Sequence, residues 1–290
     1  MEIIRLKEYG FEHAGLFSMW TQKEALLYFA SLTAYRAFRI AFTMPTAESI
    51  APHFDEVARR MTAIRLRIDD AVAIAKRDSG CVRLLAVSKT FPLSAIVAVA
   101  MTGQQAFGEN YAQEGVDKAK QRPDLEWHFI GPIQSNKTRG IAEHFSWVHT
   151  IDRLKIAERL SLQRPVSMPP LQVCIQVNIS NEDSKSGCAP GEALTLCQAI
   201  AALPGLRLRG LMAIPEATNN LSTQHRHFGA LRQLMADINA SDPTLQLDTL
   251  SMGMSDDLEA AIAEGATIVR VGSAIFGRRQ YAHTPESSES

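Results

Sequence analysis

Eight short apolar segments alternate with amphipathic segments along most of the chain, and this alternation limits the possible folds more than any other feature. The predicted strands cover residues 82–90, 105–110, 125–131, 147–152, 171–179, 206–214, 247–252 and 267–275. A helical pattern follows each of the first seven. Strands that alternate with helices are typical of a parallel sheet, because parallel neighbours need a long crossover connection. The sequence therefore predicts an α/β fold.

The number of strands favours a closed barrel over an open sheet. A TIM-type (β/α)₈ barrel requires eight strands, and the 247 residues from Met44 to Ser290 are close to the roughly 250 residues typical of that fold. A doubly wound open sheet is the alternative, and it often has a glycine-rich turn after its first strand. Here that turn reads Ser88-Lys89-Thr90, without such glycines. We therefore predict a single barrel domain over residues 44–290.

The first 43 residues do not share the strand and helix pattern. They are rich in aromatic residues and have weak periodicity, so we treat residues 1–43 as an N-terminal extension of unknown role, helical in part of residues 22–41. A clear amphipathic helix begins only near His53, where apolar residues recur every three or four positions. One hypothesis is that the true start is Met44 and that the extension is a mis-assigned start.

Composition argues against several classes of function. The formal net charge is −1 and the pI is about 6.7, whereas nucleic-acid-binding domains are usually strongly basic. The four cysteines form no C-x-x-C pair and no zinc pattern with histidine, so we expect no metal site and a reducing, cytoplasmic location. No segment is long and apolar enough to cross a membrane. We therefore expect neither a nucleic-acid partner nor a membrane partner.

The ends of the predicted strands hold the first candidate site residues, because TIM barrels place their sites at the carboxyl ends of the strands. The first strand closes with Lys89, which is either a surface residue of the rim or a partly desolvated amine able to form a Schiff base with an aldehyde. The second closes with Asn110, which either bonds a ligand or caps the next helix. His128 alternates with apolar neighbours, so a buried structural histidine is the favoured interpretation.

The loops after strands seven and eight form a candidate phosphate site, a common feature of this fold. The backbone at Gly272 can approach an anion closely, and Ser273 and Ser255 add hydroxyl donors. Asp256 and Asp257 oppose the simplest version, because they occupy the first turn of the predicted helix, complement its dipole and would repel a phosphate. We therefore give most weight to Gly272 and Ser273, with tight barrel turns as the alternative reason for the glycine.

Arg270 lies inside the apolar eighth strand, where an unpaired charge is expensive. Two interpretations remain open from the residues alone. The arginine either forms a structural ion pair with a carboxylate or donates to a ligand inside the mouth of the barrel.

Six motifs in this order resemble the pyridoxal phosphate homeostasis protein family. They are LAVSKT at residues 85–90, FGENY at 107–111, WHFIG at 127–131 with QSNK at 134–137, LMAI at 211–214, SMGMSDD at 251–257 and VRVGSAIFG at 269–277. Each motif is common by itself, but six in this order are specific. Residues 1–43 have no counterpart in the family pattern.

The resemblance implies a barrel similar to the N-terminal domain of bacterial alanine racemase, with pyridoxal 5′-phosphate (PLP) held as a Schiff base on Lys89. It implies that Arg270 lies near the pyridine nitrogen, where a guanidinium would keep that nitrogen unprotonated and weaken the ring as an electron sink. It places the loops after strands seven and eight around the phosphate. The predicted cofactor-binding residues are Lys89, Asn110, Ser251, Met254, Ser255, Arg270, Gly272 and Ser273.

The resemblance also implies a role in vitamin B6 homeostasis, as a carrier or buffer of PLP without catalytic residues. We expect a monomer, with PLP-dependent apoenzymes as candidate recipients. The alternative is a PLP-dependent racemase-like enzyme, which needs acid–base groups on both faces of the substrate carbon. Barrel racemases take the second group from a tyrosine of another domain, and only 13 residues follow Gly277, so we expect that domain to be absent.

Tyr111 is the one tyrosine at the predicted rim, and we expect it to pack against a helix. A third possibility is a barrel that binds another phosphorylated metabolite, with Lys89 incidental.

Overall fold

A closed barrel of eight parallel strands forms the centre of the fold. The computed structural model describes residues 47–180 and 186–277. The strands pair in chain order, and β8 pairs with β1 to close the barrel. They are β1 (Arg83–Val87), β2 (Ala106–Glu109), β3 (Glu126–Phe129), β4 (Trp147–Ile151), β5 (Leu171–Gln176), β6 (Leu206–Met212), β7 (Thr249–Ser251) and β8 (Ile268–Val271). The predicted (β/α)₈ barrel is confirmed, and the open sheet is excluded.

Helices precede the barrel and connect its strands. They are α1 (Ala47–Ile74), α2 (Leu93–Ala100), α3 (Ala112–Gln121), α4 (Thr138–His144), α5 (Leu154–Gln163), α6 (Ala193–Ala201), α7 (Leu221–Ser241), α8 (Leu258–Ala263) and α9 (Ser273–Phe276). Helices α2 to α8 follow β1 to β7 in turn, as predicted. Short 3₁₀ turns at Ser135–Lys137 and Pro190–Glu192 lead into α4 and α6.

Alternate residues of each strand face two separate apolar cores, as the twofold period of a strand requires. Leu84 and Ala86 belong to the large core beneath the helices. The smaller core lies inside the barrel and consists of Leu85, Val87, Ala106, Ile130, Trp147, Cys174, Met212 and Ile268. Cys174 is fully buried there, as predicted, and burial raises the pKa of its thiol to about 12.

The first helix packs on the barrel and braces the loop after β7. It begins at Ala47, earlier than the predicted start near His53. Its predicted apolar face is buried and contains Val57, Met61, Ile64, Ile68 and Val72. At the edge of this face, Arg67 donates to Glu259 of α8 at 2.9 Å and to the carbonyl oxygen of Ser255 at 3.1 Å. This contact ties one of the two predicted phosphate loops to α1.

The eighth strand is shorter than predicted. It ends at Val271 rather than at residue 275, and α9 begins at Ser273. Gly272 turns the chain with φ −116° and ψ −81°, and its carbonyl oxygen accepts the N–H of Phe276 at 3.0 Å to close a helical turn. Periodicity assigned this run incorrectly because a short apolar segment fits a buried strand and a buried helix equally well.

The helix after β7 also begins later than predicted. Since α8 starts at Leu258, Asp256 and Asp257 precede it and do not occupy its first turn. The Asp257 carboxylate accepts the N–H of Met254 at 2.6 Å. This carboxylate therefore braces the loop after β7, and the predicted placement within the helix is wrong.

The predicted N-terminal extension, residues 1–43, and its boundary at Met44 lie outside the described residues. Within the described part of the chain, no helix combines the length and apolar character needed to cross a membrane.

Candidate functional site

Lys89 lies at the carboxyl rim of the barrel, two residues after the end of β1. Leu85 and Val87 face the barrel interior, and Lys89 is the next position of the same alternation, in the turn that follows the strand. The residue is half-buried, whereas Ser88 is fully buried on the outer side of the wall. Thr90 then has a φ of 69°, a left-handed conformation that is rare for a β-branched residue. The chain thus turns sharply immediately after Lys89.

A network of hydrogen-bonded buried and partly buried groups, here called the wall network, holds the backbone on both sides of Lys89. It consists of Ser88, Glu109, Glu114 and Lys118. The Lys118 ammonium donates to the carbonyl oxygen of Ser88 at 2.9 Å, and to the carboxylates of Glu109 at 2.8 Å and Glu114 at 2.6 Å. Glu114 also accepts the N–H of Thr90 at 2.7 Å. Both neighbours of Lys89 in the chain are therefore tied to α3.

Burial dominates the electrostatics of the wall network. Desolvation raises the pKa of the Glu109 carboxyl above its usual value, although Lys118 opposes this rise. Glu109 Oε1 accepts from Lys118 and from the Ser88 hydroxyl, at 2.8 Å and 2.6 Å, while Oε2 has no partner among the described residues. This buried carboxylate depends on one ammonium for its charge balance.

Asn110 follows β2 at the same rim, and its Oδ1 is buried without a hydrogen-bond partner among the described residues. Beside it, a Cβ at Gly131 would lie 2.0 Å from the carbonyl oxygen of Asn110, so only glycine permits this close approach. The N-cap of α3 is Tyr111, so the helix-cap interpretation of Asn110 is wrong. Buried polar atoms are normally paired, and a ligand at the rim would satisfy this one.

The loops after β7 and β8 contain the predicted phosphate-binding residues. Gly253 has a φ of +91°, and a Cβ there would lie 2.5 Å from the Ala261 Cβ, so the loop requires glycine. Gly272 lies against β1, where a Cβ would approach the carbonyl oxygen of Val87 to 3.3 Å. The loop after β8 therefore borders the end of the strand that leads into Lys89. The exposed or half-buried residues of these loops include Met254, Ser255 and Ser273.

Arg270 is buried inside the barrel, and its hydrogen-bond partners are neutral oxygens. The guanidinium donates to Ser251 O at 2.6 Å, to Ser251 Oγ at 2.8 Å and to Ala213 O at 2.9 Å. No carboxylate pairs with it among the described residues, so the ion-pair interpretation is wrong. These bonds use three of its five N–H donors, so two N–H groups remain. Burial lowers the pKa of Arg270 to about 10, so the side chain stays charged at neutral pH.

A line of hydrogen-bonded side chains, here called the core chain, continues from Arg270 through the barrel interior. It consists of Ser251, His149, His128 and Glu126. His149 Nδ1 lies 2.7 Å from Ser251 Oγ, and His149 Nε2 lies 2.9 Å from His128 Nδ1. His128 Nε2 lies 2.9 Å from Glu126 Oε1, and Glu126 pairs with Arg83. Since Glu126 and Arg83 open β3 and β1, the core chain runs from the mouth to the opposite end of the barrel.

Both histidines of the core chain are fully buried, and both ring nitrogens of each have partners. The prediction that His128 is a structural histidine is confirmed. Burial lowers the pKa of both imidazoles, and that of His149 lies well below 6.5. His149 was missing from the sequence-based candidates. The available signal was its spacing of two from Trp147, which places both side chains on the inner face of β4.

Tyr111 was predicted to pack against a helix. It is 56% exposed at the rim, more than is expected of a side chain whose main role is packing against a helix. Its carbonyl oxygen accepts the N–H of Gly115 at 2.9 Å, as expected of the residue that precedes α3.

The fold and the site together define a class of protein, a single parallel (β/α)₈ barrel with a lysine, an arginine and two glycine-containing loops at its carboxyl rim. The family described as alanine racemase, N-terminal domain, matches residues 61–280. The chain belongs to this family and, within it, to the pyridoxal phosphate homeostasis proteins.

Three similar proteins support this assignment. The pyridoxal phosphate homeostasis protein of Pseudomonas aeruginosa is 58% identical over 227 residues, which cover 78% of this chain and 96% of the relative. The protein of the same name from Escherichia coli K12 is 52% identical over 236 residues, or 79% of this chain and 99% of the relative. The solved structure of PipY from Synechococcus elongatus PCC7942 with PLP bound is 34% identical, with a TM-score of 0.67, and covers 76% of this chain and 100% of that one.

Proposed function

We propose that this chain binds PLP as a Schiff base on Lys89 and serves vitamin B6 homeostasis as a non-catalytic carrier or regulator. The observation that carries the proposal is the position of Lys89, a half-buried residue at the carboxyl rim of the barrel, two residues after the end of β1. The names of the relatives and the PLP bound in PipY support the same cofactor. When bound, PLP supplies an aldehyde that condenses reversibly with a primary amine.

The residues at the rim fit this ligand. The buried Oδ1 of Asn110 needs a partner, and Arg270 retains two N–H donors for the pyridine ring. The loops after β7 and β8 offer the hydroxyls of Ser255 and Ser273 to the phosphate, beside the backbone of Gly272. Ser251 is fully buried beneath Arg270, so we propose that it supports the guanidinium.

Arg270 bears on how strongly a bound PLP ring would withdraw electrons. A guanidinium keeps its proton, so next to the pyridine nitrogen it would leave that nitrogen unprotonated. A neutral pyridine withdraws electrons weakly, and amino-acid chemistry on PLP depends on that withdrawal. The names of the relatives favour the homeostasis role over the racemase-like alternative.

The absorption spectrum of the purified protein tests the binding proposal. We expect a visible band that sodium borohydride abolishes, with the reduced adduct on the peptide that contains Lys89. The Lys89→Ala variant should lack the band, while Lys155→Ala, an exposed lysine of α5, should retain it. A wild-type protein that stays colourless after addition of PLP would favour a different phosphorylated ligand.

Amino-acid turnover separates a carrier from a racemase. We expect no conversion of L-alanine to D-alanine by the PLP-loaded protein above that of free PLP. Tyr111 is exposed at the rim, so Tyr111→Phe is the informative variant. Enantiomer conversion that this variant abolishes would contradict the carrier proposal.

The proposal also covers the proteins that receive PLP and the oligomeric state of the chain. We propose a cytoplasmic monomer that passes PLP to PLP-dependent apoenzymes, and the free thiols of its four cysteines are compatible with a reducing compartment. Mixing the PLP-loaded protein with such an apoenzyme should restore its activity faster than equilibration through dilute free PLP. Analytical ultracentrifugation should give the mass of one chain, and a stable dimer would contradict the monomer.

A further inference from the structure

We infer that Glu126, at the end of the barrel opposite the proposed PLP site, is a positioning residue for Arg270. It acts by setting the direction of every hydrogen bond in the core chain. The inference rests on the proposed function only in assigning Arg270 to the PLP ring. The direction of the hydrogen bonds in the core chain depends only on residues of the protein and not on PLP.

The two ends of the core chain have fixed hydrogen-bonding roles. Arg270 can only donate. Burial alone would raise the pKa of Glu126, but hydrogen bonds from His128 and Arg83 lower it to about 2. Glu126 is therefore a carboxylate at neutral pH, and a carboxylate can only accept.

Neutral histidines transmit this direction, because each has one donor nitrogen and one acceptor nitrogen. His128 must donate from Nε2 to Glu126, so its Nδ1 accepts from His149 Nε2–H. His149 Nδ1 then accepts the Ser251 hydroxyl proton. The Ser251 oxygen is left with its lone pairs toward Arg270. The reversed chain would require a proton on Glu126.

The surroundings keep both rings neutral. Each histidine is fully buried, and the charged groups that face them are Arg270 from β8, Arg83 from β1 and Glu126 from β3. Arg83 lowers the pKa of both rings and Arg270 lowers that of His149, whereas Glu126 opposes this effect at His128. A second proton on either ring would also occupy its Nδ1, which accepts a hydrogen bond in the core chain.

The consequence for the site is the orientation of the guanidinium. With the chain directed as derived, Arg270 donates to both Ser251 O and Ser251 Oγ, at 2.6 Å and 2.8 Å. If the direction is lost, the Ser251 hydroxyl no longer has an assigned acceptor and can turn its proton toward the guanidinium. Arg270 is then less restrained, and so are the two donors that remain for the pyridine ring.

Nitrogen NMR of protein labelled with ¹⁵N-histidine tests the direction on the cofactor-free chain. We expect His128 and His149 to be neutral Nε2–H tautomers from pH 6 to pH 8 (about the range in which a free imidazole titrates). The variants His128→Gln and His149→Gln identify their signals among the eight histidines of the chain. An Nδ1–H tautomer or a cationic ring at either position would overturn the inference.

Substitutions at Glu126 test whether the far end acts on the site. Its side chain is 29% exposed, so Glu126→Met removes the acceptor without opening the core. We expect it to shift the signals of both histidines and to raise the Kd for PLP about threefold to tenfold, the effect of losing about one hydrogen bond between neutral groups. Glu126→Gln should keep the histidine signals and the Kd near the wild-type values, because an amide oxygen can still accept from His128.

Asp124 provides the matched control. It lies two residues before Glu126 and pairs with Arg122, whereas the hydrogen-bond partners of the two histidines are Ser251, Glu126 and each other. Asp124→Met should therefore leave the signals and the Kd unchanged. A Glu126→Met protein that melts earlier but keeps the wild-type tautomers and a Kd within about twofold of wild type would show a merely structural role and overturn the inference. A wild-type chain that fails to take up PLP would overturn the link to the ring and the proposed function, while the tautomers would still decide the direction of the chain.

Discussion

The wall network and the core chain are two buried polar clusters beside the same site, and they use opposite electrostatics. The wall network places an ammonium, Lys118, between two carboxylates on the outer side of β1 and β2. The core chain places two neutral imidazoles inside the barrel and confines its charges to its ends. The first stabilises by attraction between charges, and the second by complementary donors and acceptors.

The difference shows what each cluster can do. Attraction between charges holds the backbone of Ser88 and Thr90 in place around Lys89, but it carries no direction. A line of single donors and acceptors has a direction, so a change at one end alters the other. It follows that the two clusters should respond differently to substitution and to pH.

The largest expected effect is at Lys118. Lys118→Met leaves the Glu109 carboxylate buried with the Ser88 hydroxyl as its remaining partner, and breaking a buried ion pair on one side costs about 3–5 kcal/mol of unfolding free energy. Urea unfolding measures the loss. The double variant Glu109→Gln/Lys118→Met should recover much of it, and Lys120→Met, on the exposed side of α3, should change little. An equal loss in the double variant would contradict a charge-based wall network.

A smaller effect is expected at His149. His149→Leu leaves His128 Nδ1 and the Ser251 hydroxyl buried without this partner, and unpaired neutral groups cost about 1–3 kcal/mol. His128→Leu should cost a similar amount. Because the two rings share one chain, the double variant should lose clearly less than the sum of the single losses. Strict additivity in urea unfolding would show that the histidines act independently, and His144→Leu on α4 is the control for losing an imidazole.

The pH dependence of the unfolding free energy should report on the two histidines of the core chain. The folded pKa of both core histidines lies below 6.5, the ordinary value. Below about pH 6.5 these imidazoles therefore bind protons in the unfolded chain but stay neutral in the folded chain. The unfolding free energy then falls by at most about 1.4 kcal/mol per pH unit for each proton. The His128→Leu/His149→Leu double variant should show a flatter profile from pH 6.5 to pH 5. An unchanged slope would indicate that other groups cause the acid sensitivity.

The smallest expected effect is at Ser255, which lies outside both clusters. Ser255→Ala should weaken PLP binding about threefold to tenfold, as expected for one lost hydrogen bond of about 1 kcal/mol, and should leave urea unfolding of the cofactor-free protein unchanged. Equilibrium dialysis of PLP measures the first quantity. A change in stability without a change in affinity would remove Ser255 from the proposed phosphate site and assign it to the loop that Arg67 braces.

The sequence was informative where the signal is local. The alternation of strands and helices predicted the barrel, and the strand ends predicted which residues reach its mouth. It failed at the end of β8, where residues 273–275 fit a strand and a helix equally well. It also misplaced Asp257, whose carboxylate bonds the backbone of Met254, because the start of a helix depends on such contacts.

By itself the sequence determined the family, the barrel, and Lys89 and Arg270 as residues of one rim, because periodicity and motifs depend on neighbours along the chain. Only the tertiary structure decided that Arg270 has no carboxylate partner among the described residues and that His149 contacts Ser251, 102 residues away. Contacts of this kind depend on the register of strands around a closed barrel. The hydrogen-bonding direction of the core chain emerges only when those distant donors and acceptors are brought into contact.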